Sequence, residues 1–261
     1  MSDPFKVRLT GSSAGTLGQV IVQIELVDRA VARYPKPWAW YRGDDLIGFA
    51  ESDPLGTWPD RAGGAGSLLS DSAAPHYTAD ALDSTAGVKS AGSPSGDLDA
   101  ASFPSPLASG TDFTIVCVLG TQGGSTHSGI MGFYSGSSAV ATLSWASEFN
   151  AISALVGSDA DFDPVYITKS GTVAPPLAMV LTKRSGTFDF WVDRTLIGSE
   201  TPANIATPPN VIEMVVGDDS TSPEMIFFDF GVDPATDLID FGADGTQTID
   251  AYLSSRYPSL P

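Results

Sequence analysis

Residues 177–198 leave the chain little choice of fold. Leu177-Ala-Met-Val-Leu-Thr182 is an apolar run, Lys183-Arg-Ser-Gly186 supplies turn residues, and Thr187-Phe-Asp-Phe-Trp-Val-Asp193 alternates strictly. Successive side chains of an extended strand point to opposite faces, so Phe188, Phe190 and Val192 share one face while Asp189, Trp191 and Asp193 share the other. This predicts an antiparallel hairpin, after which Asp193-Arg194 turns into a further run at Thr195-Leu-Ile-Gly198.

The same kind of signal recurs elsewhere. Phe113–Leu119 reads as a buried strand, and Gly129–Tyr134, Ala139–Trp145 and Ala151–Val156 follow at short intervals bounded by Gly, Ser or Asn. Further strands are expected at Val211–Val216 and Met225–Phe230. Regular strand and turn spacing points to a sandwich or a barrel. The 27 glycines and 19 prolines agree with many short strands. One exception closes the chain: Ile249, Tyr252, Leu253 and Tyr257 fall near helical spacing, with Thr248 as N-cap and Pro258 as stop.

Before the hairpin lie two less regular regions. Trp38, Trp40, Tyr41 and Trp58 cluster in residues 38–66, and aromatics on this scale need a core around them. From Gly63 to Pro106 the chain is mostly small and polar, so short irregular strands pinned by Leu68, Leu69, Tyr77, Leu82, Val88, Leu98 and Phe103 are expected. Residues 5–10 and 19–27 alternate, and Tyr34-Pro-Lys-Pro37 acts as a stiff connector. The 261 residues are long enough to bury roughly three quarters of their unfolded surface as one all-β domain, or to split into a small module and a large one; residues 1–34 are therefore expected to form an N-terminal β arm, an attachment element, and residues 35–261 the main domain.

Charge excludes whole classes of partner. With 13 basic residues against 31 acidic ones, the net charge is -18, which repels phosphate backbones and anionic headgroups; neither nucleic acid nor a membrane surface is expected as a partner. The single cysteine, Cys117, lies in an apolar run and reads as a small core filler. Met-Ser-Asp-Pro-Phe-Lys lacks a charged leader followed by an apolar segment, and 18 uncharged apolar residues nowhere run together, so the expectation is synthesis in a host cytoplasm without a classical export signal.

Three pieces together resemble the concanavalin A-like lectin/glucanase superfamily, in its laminin-G-like branch of phage and bacterial surface proteins. They are Trp40-Tyr-Arg-Gly-Asp-Asp-Leu46 with Trp58-Pro-Asp-Arg-Ala-Gly63, the paired runs Leu177–Gly198, and Ala251-Tyr-Leu-Ser-Ser-Arg-Tyr257. Ala62 stands where the pattern usually has Ser, and Arg194 where it usually has Gly. The resemblance implies an all-β, two-sheet antiparallel jelly-roll sandwich with a short C-terminal helix, serving as a recognition or scaffold module. It does not by itself imply sugar binding.

Glycoside hydrolysis on such a fold needs two carboxylates facing one groove. Glu25, Glu51, Glu148, Glu200, Glu213 and Glu224 are far apart in sequence, and only Glu51 has an Asp two residues later, at Asp53, with Leu55 where a second Glu would complete the signature, so no enzyme is expected. Asp159, Asp161 and Asp163 resemble the start of a Ca²⁺ loop, but Pro164 and Ser170 stand where an EF-hand needs Gly and Glu; a looser calcium site is set against a solvated acidic loop. Asp60 is expected to cap the following Gly-rich turn rather than hold a cation. Arg42-Gly-Asp44 reads as a strand end and not an adhesion motif. His76 and His127 have no second ligand nearby, and Gly63-Gly-Ala-Gly66 lacks the Lys and helix of a phosphate loop. Trp145 and Trp191, each on a strand beside polar neighbours, are the candidates to stack on a sugar ring, weighed against a role as sheet-face fillers.

The leading expectation is a non-enzymatic structural or decoration protein on the head or tail of a tailed phage or virus, contacting other virion proteins through residues 1–34. The competing expectation is a carbohydrate-binding module for host-surface glycans, assisted by Ca²⁺. Association with further copies of the chain is compatible with either.

Overall fold

The computed structural model describes residues 37–70, 75–89, 97–101, 112–121, 128–135, 138–146, 151–156, 165–170, 175–202, 211–215, 221–228, 231–234 and 248–261. The arm expected at residues 1–34 lies outside the described residues.

The strands are β1 (Ala39–Arg42), β2 (Thr57–Trp58), β3 (Leu68–Ser70), β4 (His76–Leu82), β5 (Thr85–Lys89), β6 (Asp97–Ala101), β7 (Phe113–Leu119), β8 (Ser128–Ser135) and β9 (Ser138–Ala146). They continue with β10 (Ala151–Val156), β11 (Val165–Ser170), β12 (Leu177–Arg184), β13 (Thr187–Val192), β14 (Thr195–Glu200), β15 (Val211–Val215), β16 (Thr221–Ser222) and β17 (Glu224–Phe228), followed by helix α1 (Ile249–Arg256). A six-stranded sheet has the order β1-β17-β7-β12-β13-β14, and an eight-stranded sheet the order β11-β10-β9-β8-β15-β6-β3-β2. A small third sheet, β16-β5-β4, was not foreshadowed by the sequence pattern.

The two large sheets form a β-sandwich. Its interior takes Tyr41, Trp58, Leu68, Leu143, Val156, Ile167 and one alternating set from the six-stranded sheet: Phe113, Ile115, Cys117 and Leu119 of β7, Leu177, Met179 and Leu181 of β12, and Phe188, Phe190 and Val192 of β13. The other set faces outward. Val116, Val118, Ala178, Val180, Ile226 and Phe228 build a second core with Ile249, Tyr252 and Leu253 of α1 and with Tyr257 beyond it. The period-two alternation thus feeds two cores at once, which is why β7 and β17 are buried along their whole length.

Hairpin geometry sharpens the expected boundaries. β12 runs to Arg184, two residues past the expected end, and the turn shrinks to Ser185-Gly186, with φ of 48° and 87°. Positive φ at both central residues is the type I′ pattern, whose twist matches that of paired strands. Asp193-Arg194 repeats it at 45° and 66°, so β13 ends at Val192. Asp83-Ser84 does so at 51° and 60° between β4 and β5. That hairpin is the main departure from the irregular region expected at 63–106, although its pairing shifts register between Thr78 and Leu82. Leu69, expected to pin that region, is 56 % exposed, because it alternates with buried Leu68. Phe103 lies outside the described residues.

Cys117 is fully buried, and burial pushes its thiol up to about 12 against the opposing pull of a hydrogen bond with Ser222. Arg42-Gly-Asp44 is a strand end followed by a 3₁₀ turn at Gly43–Asp45. Its glycine is dictated by close approach: a Cβ on Gly43 would lie 1.7 Å from the carbonyl oxygen of Ala86.

Candidate functional site

Helix α1 forms the lid of the outer face. Thr248 is its N-cap, accepting a hydrogen bond from Ala251 N at 2.9 Å; Asp250 in the first turn and Arg256 in the last complement the helix dipole. Ile249, Tyr252 and Leu253 pack onto the sheet, while Asp250 and Ser254, four residues apart, share the side toward the β13–β14 turn.

At one end of this face stands a buried carboxylate. Glu224, fully buried on β17, accepts hydrogen bonds from Trp40 Nε1 at 2.5 Å, Tyr252 Oη at 2.6 Å, Tyr257 Oη at 2.6 Å and Arg256 Nε at 3.0 Å. Arg256 also reaches Asp44 Oδ2 at 2.5 Å, and Arg42 meets the same oxygen at 2.6 Å. Buried charge costs several kcal/mol unless paired and hydrogen-bonded, and here both oxygens are engaged. Burial and the neighbouring Glu224 charge raise both tyrosine hydroxyls well above the ordinary phenol range. Burial would raise Asp44, but its contacts with Arg256 and Arg42 prevail and hold it below the usual carboxylate range. Glu224 has both its oxygens engaged, Arg42 Nε stays 3.9 Å from Oε1 without a hydrogen bond, and the cluster fastens the helix to the sheet.

At the other end the face opens into a cleft of ≈ 150 Å³. Ala178, Val180, Ile249, Leu253 and Leu260 give it apolar walls, Trp191 lines it, and Asp193, Arg194, Asp250 and Ser254 are its polar groups. Arg194 crosses from the turn to the helix, with Nε on Asp250 Oδ1 at 2.5 Å and Nη2 donating to Ser254 Oγ. Its φ of 66° keeps the left-handed conformation for which the resembled pattern uses glycine. Asp193 accepts from Ala178 N at 2.8 Å and returns a bond from its own N to Ala178 O at 3.0 Å. Burial lifts its carboxyl above the ordinary value, outweighing the Ala178 amide, Lys169 and Arg194. Trp191 Nε1 is buried without a hydrogen-bond partner. An apolar cleft with a few convergent polar groups and an unsatisfied donor is suited to holding a small polar molecule.

The structure separates the two candidate tryptophans. Trp191 packs partly against the second core and lines the cleft, whereas Trp145 sits on β9 of the eight-stranded sheet, opposite Ser128 and Ile152. Asp159, Asp161 and Asp163 lie outside the described residues, and among the described residues no cluster of three His, Cys, Asp or Glu side chains could hold a metal ion. His127 is likewise outside them. Asp60 caps the Gly-rich turn as expected: Oδ1 accepts from Trp40 N and Ala62 N, each at 2.9 Å, and Oδ2 from Ala65 N at 2.9 Å and Gly66 N at 3.2 Å. The pairing of Arg194 with Asp250 and Ser254 had no sequence signal, because it spans about sixty residues; the only hint was an Asp-Arg turn where Asp-Gly is usual.

No family model matches the chain, and no curated protein does. Solved structures do. The binding domain of botulinum neurotoxin serotype D/C VPI 5993 superposes with a TM-score of 0.58 at 9 % identity, over 88 % of this chain and 53 % of its own. That of type G gives 0.56 at 12 %, over 76 % and 49 %. A type C neurotoxin structure, described by the dependence of its uptake into cells on two ganglioside molecules, gives 0.52 at 10 %, over 71 % and 48 %. The chain therefore spans about half the length of these domains. At this identity the likeness establishes the sandwich fold. Among the described residues no helix is long and apolar enough to cross a membrane.

Proposed function

We propose that this chain is a non-enzymatic carbohydrate-recognition domain whose sugar site is the cleft between the outer face of the six-stranded sheet and α1. The observation that carries the reading is the cleft itself. It places a half-buried tryptophan with an unsatisfied indole N–H beside Asp193, Arg194, Asp250 and Ser254, the combination of apolar body and convergent polar groups that a sugar ring requires. The solved neighbours include a receptor-binding domain, a binding domain and a neurotoxin described by its ganglioside interaction, and this supports recognition over catalysis. That ganglioside interaction belongs to a chain about twice as long, so it favours the class of function without locating the site. Glu224, one of six glutamates, is spent on the helix anchor and is closed to solvent, which further weakens a hydrolase reading. A place on a phage particle finds no support in the comparisons, and glycan recognition takes precedence over it.

The test is a glycan array followed by titration calorimetry on the full chain and on Trp191→Ala. Binding by the parent that falls about tenfold or more in the variant, with an unchanged circular dichroism spectrum, is the expected result. Absence of any glycan binding by the parent would sink the reading. Repeating the array with a chelator measures any contribution of Ca²⁺ at Asp159, Asp161 and Asp163.

A further inference from the structure

We infer that the cleft selects a neutral sugar ring and rejects carboxylated sugars, with Asp193 and Asp250 as the residues that set the choice. The inference deepens the carbohydrate reading and rests on it.

Size comes first. At ≈ 150 Å³ the cleft is smaller than the roughly 300–1,000 Å³ typical of drug-sized sites, and it fits one ring rather than an extended oligosaccharide. Charge comes next. The ionisable side chains lining the cleft are two carboxylates, Asp193 and Asp250, and one guanidinium, Arg194, already paired with Asp250 at 2.5 Å and bonded to Ser254. A carboxylated sugar would have to take Arg194 from Asp250, leave that carboxylate unpaired and approach Asp193 on a chain of net charge -18. Both the local juxtaposition and the long-range field oppose it. Sugar hydroxyls face no such opposition, since they carry no charge and donate to carboxylates, and the half-buried Trp191 lines the cleft beside them. The cleft is therefore expected to differ in preference from a site for gangliosides, whose headgroups carry sialic acid.

The experiment compares matched ligands, lactose against sialyl-lactose and a methyl hexoside against its uronic acid, on the full chain, Asp250→Asn and Trp191→Ala. The parent is expected to bind the neutral member of each pair about tenfold or more tightly, and raising salt should narrow the gap by screening repulsion. Asp250→Asn should free Arg194 and shift the ratio toward the acidic member by about tenfold, and Trp191→Ala should weaken both members alike. A parent that prefers the sialylated or uronic ligand overturns the inference while leaving carbohydrate recognition standing. So does a preference that ignores both salt and Asp250→Asn. Neutral-sugar binding untouched by Trp191→Ala moves the site elsewhere and overturns the assignment, and no sugar binding at all removes the underlying reading with it. Should Asp250→Asn fold poorly by circular dichroism, the salt dependence of the parent decides alone.

Discussion

The two faces of the six-stranded sheet are built from alternate residues of the same strands, yet they are held by different physics. The inner face is almost pure hydrocarbon and aromatic ring, closed by the eight-stranded sheet. The outer face pairs a smaller apolar cluster with a buried carboxylate, three arginine- or tyrosine-bearing positions from the C-terminal segment, and an open cleft. Hydrophobic packing is non-directional and tolerates small adjustments, whereas a hydrogen-bonded polar cluster fixes one arrangement. The outer face is thus where a helix can be seated in a single register beside an unfilled cleft.

The largest effect belongs to the outer face. Glu224→Ala leaves a guanidinium, an indole N–H and two phenols without their acceptor, and should cost about 3–5 kcal/mol in denaturant unfolding. A loss under about 1 kcal/mol would show that water or neighbours replace the carboxylate. Alkali should strike the same face next. Tyr252 and Tyr257 have folded values raised above the ordinary 10.0, so their contribution is intact below pH 10 and is lost as pH climbs beyond it, because the unfolded chain sheds those protons first. Tyr41, raised by burial and by Asp60, acts in the same direction. Stability measured from pH 8 to 11 should fall above pH 10, and replacing both Tyr252 and Tyr257 by Phe should flatten the slope.

The inner face should respond in smaller steps. Ile115→Val removes one methylene from a fully packed position and is expected to cost about 0.5–1.5 kcal/mol, independent of pH. Smallest of all is Arg194→Gly. It relieves a left-handed backbone, worth roughly 1–2 kcal/mol, and gives up a half-exposed ion pair worth about 0–1 kcal/mol, so the melting temperature should hold or rise slightly. A clear drop would mean that the bridge to α1 matters more than its exposure implies.

Much of this was legible in the chain, for identifiable reasons. β7 and β10 fall on the expected residues, and α1 has the expected cap, because period-two and period-3.6 patterns with turn residues at their ends are local signals. Residues 63–106 read poorly: β4, β5 and β6 carry few large apolar side chains, and although β4 and β5 pair across a local turn, β5 also pairs with β16 and β6 with β15, much later in the chain. Trp191 was nominated from its strand face alone, and the structure gives it a cleft. Its company there could not be nominated, since Arg194, Asp250 and Ser254 meet only when the helix folds back over the sheet. Nor could the fate of Glu224 be read, a lone acid in a strand having no local mark of its partners.

The position of those partners sets an order of events. Strand β17 leaves the ribosome before Tyr252, Arg256 and Tyr257 exist, so during synthesis its carboxylate must stay hydrated and the outer face cannot dry out. Docking of α1 onto this face is therefore a late event, open only to a chain elongated past residue 257. The full chain and a version ending before residue 248 should differ sharply in protease resistance, and equal resistance would refute this dependence on α1.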